Sequence, residues 1–424
     1  MPRIHLPGRP YRFLIGIVVL AIVTAGAIAI FAQRAKDDRE AAAQAKRAEQ
    51  ARMVEVRKYE LDMMRQTAHN RPDGADAIIM AELTGSRFAR LEWIVTDVFL
   101  PLVSDPKREA LGYQALHAVN RTTPQIQEAL NQWVDKMPGS HAARLLRGLN
   151  RLSFAAINMP TPQDGDEVAT KKRDMDRYLR LSAEDLDEAL RLNPKLVPAI
   201  LGKMQLATLK ADKDAIAPLY ESAQKLAPLS PQVQMDYLWT VSPQFGGSIE
   251  KMEEAIAKVR PLYAENPNLK VIEGRPLVER GNAAMTGKDA TKAMALYQEA
   301  LTHGEDPMYH MQLGGTYAAT MQADRALKEY ESVTKRAPAS FKAFFMLALC
   351  YSEQNNNLMA VSQLDQALER NPYATFIYAV RGSLHYKEGE LNEALEDFKK
   401  AAELAPGNRV YRESVEKIKQ ALKM

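Results

Sequence analysis

The hydrophobic pattern changes character several times along the 424 residues. From Phe13 to Ala32 twenty residues pass without a charge, FLIGIVVLAIVTAGAIAIFA. As a helix rising 1.5 Å per residue this run reaches ~30 Å, the depth of a bilayer's hydrocarbon core. It predicts a transmembrane helix over 13–32, preceded by a basic tail, 1–12. The run is longer than the ~7–15 residues of a signal-peptide core, which favours a permanent anchor, while the small pair Ala27 and Ala29 would suit cleavage. Residues 33–66 are Ala, Lys, Arg, Glu and Gln without Gly or Pro, a composition that predicts a helical stalk. Apolar positions there become regular only from Met53 through Val56, Leu61 and Met64. Further on, 86–100, 107–120 and 124–137 show helical spacing, with Ser104 and Thr123-Pro124 as caps.

From about residue 274 the pattern repeats. Pro338, Pro372 and Pro406 lie 34 residues apart, and positions ahead of each agree. Gly382 precedes Ala394, Phe398, Ala401 and Pro406. At the same offsets stand Ala348, Ala360, Leu364, Ala367 and Pro372, then Gly314, Ala326, Tyr330, Val333 and Pro338, and one residue short Gly281, Ala293, Tyr297 and Ala300. Small residues at the eighth and twentieth positions let two antiparallel helices approach closely. The large residue at the twenty-fourth fills the gap to the neighbouring unit, and proline ends the second helix. The same ruler fits upstream over Val197–Ser230 and, with a longer inter-helix loop SPQFGGS, over Pro231–Pro267; a first helix around Gly148 pairs with one near Lys172–Arg191.

These positions resemble the tetratricopeptide repeat, four consecutive units of which cover about Gly274–Asn408. The resemblance implies a right-handed superhelix of helical hairpins with a concave peptide- or protein-binding groove. Positions 2, 5, 9, 12 and 13 of each family unit line that groove. They map onto Arg275, Val278 and Asn282, onto Met308 and Met311, onto Lys342, Phe345 and Ser352, and onto Phe376, Ala379 and Tyr386. The mapped lining is apolar and rich in methionine and aromatic residues, which adapt to varied apolar partners. Val278 and Met346 stand where a clamp for a peptide's terminal carboxylate would need polar partners. The implied partner is an amphipathic helix or apolar peptide, with the terminal helix 409–424 as a cap. Residues 83–267 also resemble an uncharacterised bacterial domain family with hairpins of this kind. The motifs are Trp133, Val134, Pro138, Ser140, Ala143, Arg147 and Gly148, and the loop Gln244-Phe245-Gly246-Gly247-Ser248, in which Gln-Phe replaces Arg-Trp. That resemblance supplies architecture and no activity.

Composition narrows the function. Fifty-six Lys and Arg against fifty-three Asp and Glu leave +3, far below the basic excess of a nucleic-acid binder, and Arg3, Arg9 and Arg12 account for all of it. The only cysteine, Cys350, excludes an internal disulfide and a cysteine-rich metal site. GNAAMTGKD at 281–289 fails as a phosphate loop. Five residues separate its glycines, Asp289 stands where Ser or Thr would hold magnesium, and a helix precedes it. The seven histidines form no HExxH or other metal spacing, and Asp185, Asp187 and Glu188 read as a solvated helix face beside Leu186 and Ala189.

The sequence thus predicts an all-α chain: transmembrane helix, stalk, a divergent helical region 67–270, four repeats over 274–408 and a capping helix. Its expected function is a membrane-anchored scaffold without catalytic, metal or cofactor residues. Its expected location is the bacterial inner membrane with a periplasmic body, and a homo-oligomer is allowed. The alternatives are an envelope hydrolase with its site near the FGGS loop and a self-associating structural element.

Overall fold

The computed structural model describes residues 74–161 and 168–423, which fall in one compact unit, 67–424. Every regular element among the described residues is helical. The tail 1–12, the segment 13–32 and the stalk 33–66 lie outside the described residues. The expectation of a single-pass inner-membrane protein is corrected: among the described residues no helix is long and apolar enough to cross a membrane. The longest, Val168–Leu192, has 25 residues, ample length for a span, but it carries charges on every turn and buries only one narrow stripe.

Five helices open the described chain: α1 (Gly74–Thr84), α2 (Phe88–Trp93), α3 (Leu100–Val103), α4 (Glu109–Leu116) and α5 (Pro124–Lys136). Between α2 and α3 the helix widens into a π-helical stretch, Ile94–Phe99, just ahead of Pro101, whose nitrogen has no proton to give the preceding turn. α4 runs on into a 3₁₀ turn, His117–Asn120. The caps divide. Thr123 accepts from Ile126 N with Pro124 in the first turn of α5, as the sequence predicts, whereas Ser104 ends α3 and α4 begins after Arg108 without a side-chain cap.

Seven hairpins follow. Their helices are α6 (His141–Ile157) with α7 (Val168–Leu192), α8 (Val197–Leu209) with α9 (Lys213–Leu226), and α10 (Pro231–Thr240) with α11 (Ile249–Val259). The next are α12 (Gly274–Thr286) with α13 (Ala290–His303), α14 (Pro307–Ala319) with α15 (Ala323–Arg336), α16 (Phe341–Glu353) with α17 (Asn357–Arg370), and α18 (Thr375–Glu388) with α19 (Leu391–Leu404). The small residues do what their spacing predicts. A Cβ on Gly281 would lie 2.3 Å from the Tyr297 ring, and one on Gly314 would lie 2.9 Å from Tyr330. The hairpin helices therefore touch backbone to ring. α20 (Arg409–Ala421) closes the stack by laying Val415 and Ile418 on Leu395 and Phe398.

Five of the inter-helix turns are the same object. Ala211, Lys288, Met321, Asn355 and Gly389 all have φ between 57° and 82°. In each turn this residue's N–H bonds the carbonyl three back, and the next residue's N–H bonds the carbonyl five back, as in Ala211 N to Thr208 O and Asp212 N to Ala207 O. The residue that completes this helix stop also starts the next helix: Asp212, Asp289 and Asn356 each accept a backbone N–H of the following first turn. This gives Asp289, the odd member of GNAAMTGKD, a structural duty. The α10–α11 turn is longer, and there Gly246 takes φ 75° while a Cβ on Gly247 would meet Val241 O at 1.8 Å.

The opening helices pack against later repeats as well as against the first. Glu109 accepts from Gln232 N at 2.8 Å, and Asn266 Nδ2 bridges Leu229 O and Pro106 O. Gln114 Nε2 donates to Lys335 O at 3.3 Å, Thr122 N to Arg370 O at 3.0 Å, and the Phe154 ring meets Tyr373 edge-on at 6.1 Å. The far repeats thus return to the helices that precede the stack.

Candidate functional site

The predicted groove residues all sit on the first helices of their hairpins. They do not share one environment. Arg275 is 2% exposed and Val278 belongs to the core with Tyr297 and Leu313. Asn282 accepts the Tyr297 hydroxyl at 2.8 Å. Met311 packs on the same core, and Ala379 lies against the core that α20 completes. Ser352 is half-buried at the end of α16.

The remainder form an open strip at the C-terminal end. Lys342 is exposed, Phe345 and Phe376 meet edge-to-face at 4.9 Å, and Phe376 and Tyr386 are 43% and 38% exposed. Phe376 and Tyr386 are ten residues apart on α18, which sets them about 80° apart around the helix axis, on adjoining faces. Lys417 of α20 stands 5.2 Å over the Tyr386 ring, which places the terminal helix beside the strip and leaves Phe376 uncovered.

Nearer the N-terminal end, α4 and the turn 117–120 line a half-open cavity of about 400 Å³ together with α6, α8 and α10. Its walls carry Leu149 and Leu152 of α6, Leu201 and Gln205 of α8, and Gln232, Met235 and Trp239 of α10. Arg275 and Met308, two predicted groove residues, complete it, and Gln244 and Phe245 of the long turn stand at its edge. Gln232, Met235 and Trp239 occupy the second, fifth and ninth places of α10, the offsets by which the groove was mapped downstream. Carrying that ruler upstream would have found the cavity. Nothing in the spacing marks Asp236 or Tyr113, since neither sits at a groove offset.

The polar groups here are unusual in their lack of counterions. Asp236 accepts only from amides, Gln232 Nε2 at 2.9 Å and Gln205 Nε2 at 3.3 Å, and burial raises its pKa to about 7. Burial likewise brings Glu109 to about 7 and His117 down to about 4, so this imidazole is neutral. Tyr113 Oη and Arg275 Nε have no hydrogen-bond partner. The Arg275 guanidinium donates to Met308 Sδ and pairs with Glu279 at 3.3 Å, and it partly opposes the burial that raises Asp306.

Other titratable clusters are structural. Asp185, predicted on a solvated face, is fully buried between Arg144, Arg147 and Arg151, with contacts of 3.1, 2.7 and 2.5 Å; Asp187 and Glu188 do face solvent, paired with Lys203 and Arg191. The stripe that looked apolar is polar at this one turn. His310 sits between Glu329 at 2.6 Å and Glu305 at 3.1 Å; burial lowers its pKa, and the two carboxylates outweigh that and raise it. Cys350 is buried and its thiol pushed up to about 11, far from a reactive thiolate. Among the described residues no group of His, Cys, Asp or Glu is arranged to hold a metal ion.

Comparison with known proteins finds the tetratricopeptide repeat family twice, over residues 341–373 and 376–408. These are the α16–α17 and α18–α19 hairpins. No curated protein matches the chain. Among solved structures the chain is similar to MamA, at 19% identity over 34% of this chain and 84% of that one, with a TM-score of 0.33. It is similar to MamA residues 41 to the end from Desulfovibrio magneticus RS-1, at 19% identity, 42% and 97% coverage and a TM-score of 0.32. It is similar to the first TPR of Spaghetti (RPAP3) bound to the HSP90 peptide SRMEEVD, at 24% identity, 28% and 94% coverage and a TM-score of 0.27.

Proposed function

We propose that this tetratricopeptide repeat protein is a scaffold that holds a partner protein against the open strip of α16 and α18, taking an amphipathic helix or apolar peptide segment. The observation that carries the reading is the exposed Phe376 ring, set edge-to-face on the half-buried Phe345 and accompanied on the same helix by the exposed Tyr386. Uncovered aromatic side chains grouped together are a common signature of a recognition surface. The strip has a basic rim in Lys342 and Lys417, which favours an apolar segment flanked by acidic residues. No catalytic step is assigned to it.

The test is a photo-crosslinking residue placed at Phe376, with the captured protein identified and its affinity measured against Phe376→Lys and Tyr386→Lys. Both positions are more than a third exposed, so the substitutions should leave the thermal midpoint within a few degrees. A loss of tenfold or more in affinity supports the strip. Unchanged affinity in both variants refutes it. Met311 is unsuitable for such a test, because a charge there would enter the core.

A further inference from the structure

The half-open cavity is separate from the strip, and its residues have no part in the proposed scaffold function. Three features make it more than a packing gap. Its volume of about 400 Å³ lies in the range of small-molecule sites. Its floor holds a carboxylate, Asp236, which has no cation within ion-pair distance and accepts only from Gln205 and Gln232. Tyr113, 5% exposed and lining the same cavity, has a hydroxyl with no partner.

Every charged or titratable group that faces Asp236 can be named. From α4 come Glu109 and Tyr113, from the 3₁₀ turn the neutral His117, from α12 Arg275, and from the start of α14 Asp306. The one cation among them, Arg275, pairs with Glu279 at 3.3 Å and donates to Met308 Sδ. The floor is therefore electron-rich and short of positive charge. Trp239 and Phe245, which meet edge-to-face at 4.4 Å, line the cavity as well. The other walls, from Leu149, Leu152, Leu201 and Met235, are hydrocarbon.

We propose that this cavity binds a small molecule bearing a single amine on an apolar body, the ammonium held by Asp236 with Tyr113 Oη and the body held by the leucine and methionine walls. An ammonium brings three donors and a charge. It gives Asp236 the cation that its two amide donors do not supply and leaves a donor for the unpartnered Tyr113 Oη. Binding it also draws the Asp236 proton off, so affinity depends on pH in a direction opposite to that of a site built on Arg275.

Three isosteric probes decide the matter by titration calorimetry on the whole protein: 4-phenylbutylamine, 4-phenylbutan-1-ol and 4-phenylbutyrate. The amine is expected to bind at least tenfold more tightly than the alcohol at pH 7.5, and the butyrate more weakly still. At pH 5.5 the amine should weaken about tenfold while the alcohol is unchanged. Asp236→Asn should abolish the amine's advantage and keep alcohol binding, and Tyr113→Phe should reduce the advantage several-fold. Equal binding of amine and alcohol, strongest binding of butyrate, a preference that survives Asp236→Asn, or no saturable binding by any probe overturns the proposal. None of these results bears on the Phe376 strip, whose test reads a different surface.

Discussion

Three arginines on successive turns of α6 converge on one carboxylate of α7, and the arithmetic of charge there is severe. With Asp185 removed, Arg144, Arg147 and Arg151 would face one another with solvent exposure of 24% at most. Breaking a buried ion pair typically costs about 3–5 kcal/mol. Asp185→Ala is expected to lie at the upper end of that range by urea denaturation, and a cost under about 1 kcal/mol would show that the cluster is spectator to the fold. Asp236 behaves oppositely. With its pKa raised to about 7, the folded chain keeps a proton that the unfolded chain releases between roughly pH 4 and 7. Stability contributed by this group falls as pH rises through that window, so Asp236→Asn should raise the urea midpoint at pH 8 and leave it nearly unchanged at pH 4. His310 has its pKa raised by Glu329 and Glu305, so its contribution is present below about pH 6.5 and lost as pH rises through the folded value. His310→Gln should cost more stability at pH 5.5 than at pH 9. None of these three was legible in the sequence. Asp185 and its nearest arginine, Arg151, are 34 residues apart across a hairpin, and no periodicity reports which acid meets which base.

At the scale of the element the sequence was far more informative, because the hairpin is specified locally. Proline ends the second helix, a small residue admits the ring of the twenty-fourth position, and both are visible as a 34-residue spacing. Gly281 with its 2.3 Å approach to Tyr297 is the tightest of these, and Gly281→Val should force the helices apart at a cost of about 1–3 kcal/mol or more in thermal unfolding. What the spacing hides is the backbone of the turn. Met321 holds φ 59° and is 92% exposed, so its side chain contributes almost no packing while its Cβ strains the left-handed conformation. Met321→Gly is expected to stabilise by about 0.5–1 kcal/mol, the relief of strain exceeding the added chain entropy. A lower melting temperature in that variant would mean the methionine makes a contact that the fold conceals. Ser104 shows the limit of cap reading: a serine before a helical stretch predicts its start, and the chain uses it to end the helix before.

For the molecule as a whole, the described helices depart from the behaviour of an open repeat array, in which each unit touches only its neighbours. Phe154 stacks on Tyr178 at 4.9 Å and meets Tyr373 from five hairpins further on. Phe154→Ala should cost about 3–5 kcal/mol, and it should also accelerate amide hydrogen exchange in 370–374, not only in α6 and α7. Exchange in 370–374 that stays at the unaltered rate would show that the return contact transmits nothing. This closure was invisible in the sequence because its bonds are made by backbone groups, Thr122 N to Arg370 O, and by a side chain on a carbonyl, Gln114 to Lys335, which leave no compositional trace. It has a consequence for synthesis. Gln114 and the carbonyl it binds are 221 residues apart, so at about 5–20 residues per second the ribosome needs roughly 10–45 s to deliver the partner after α4 emerges. During that interval the opening helices rest on the early hairpins alone, and the face that the later repeats will cover stays open to a chaperone.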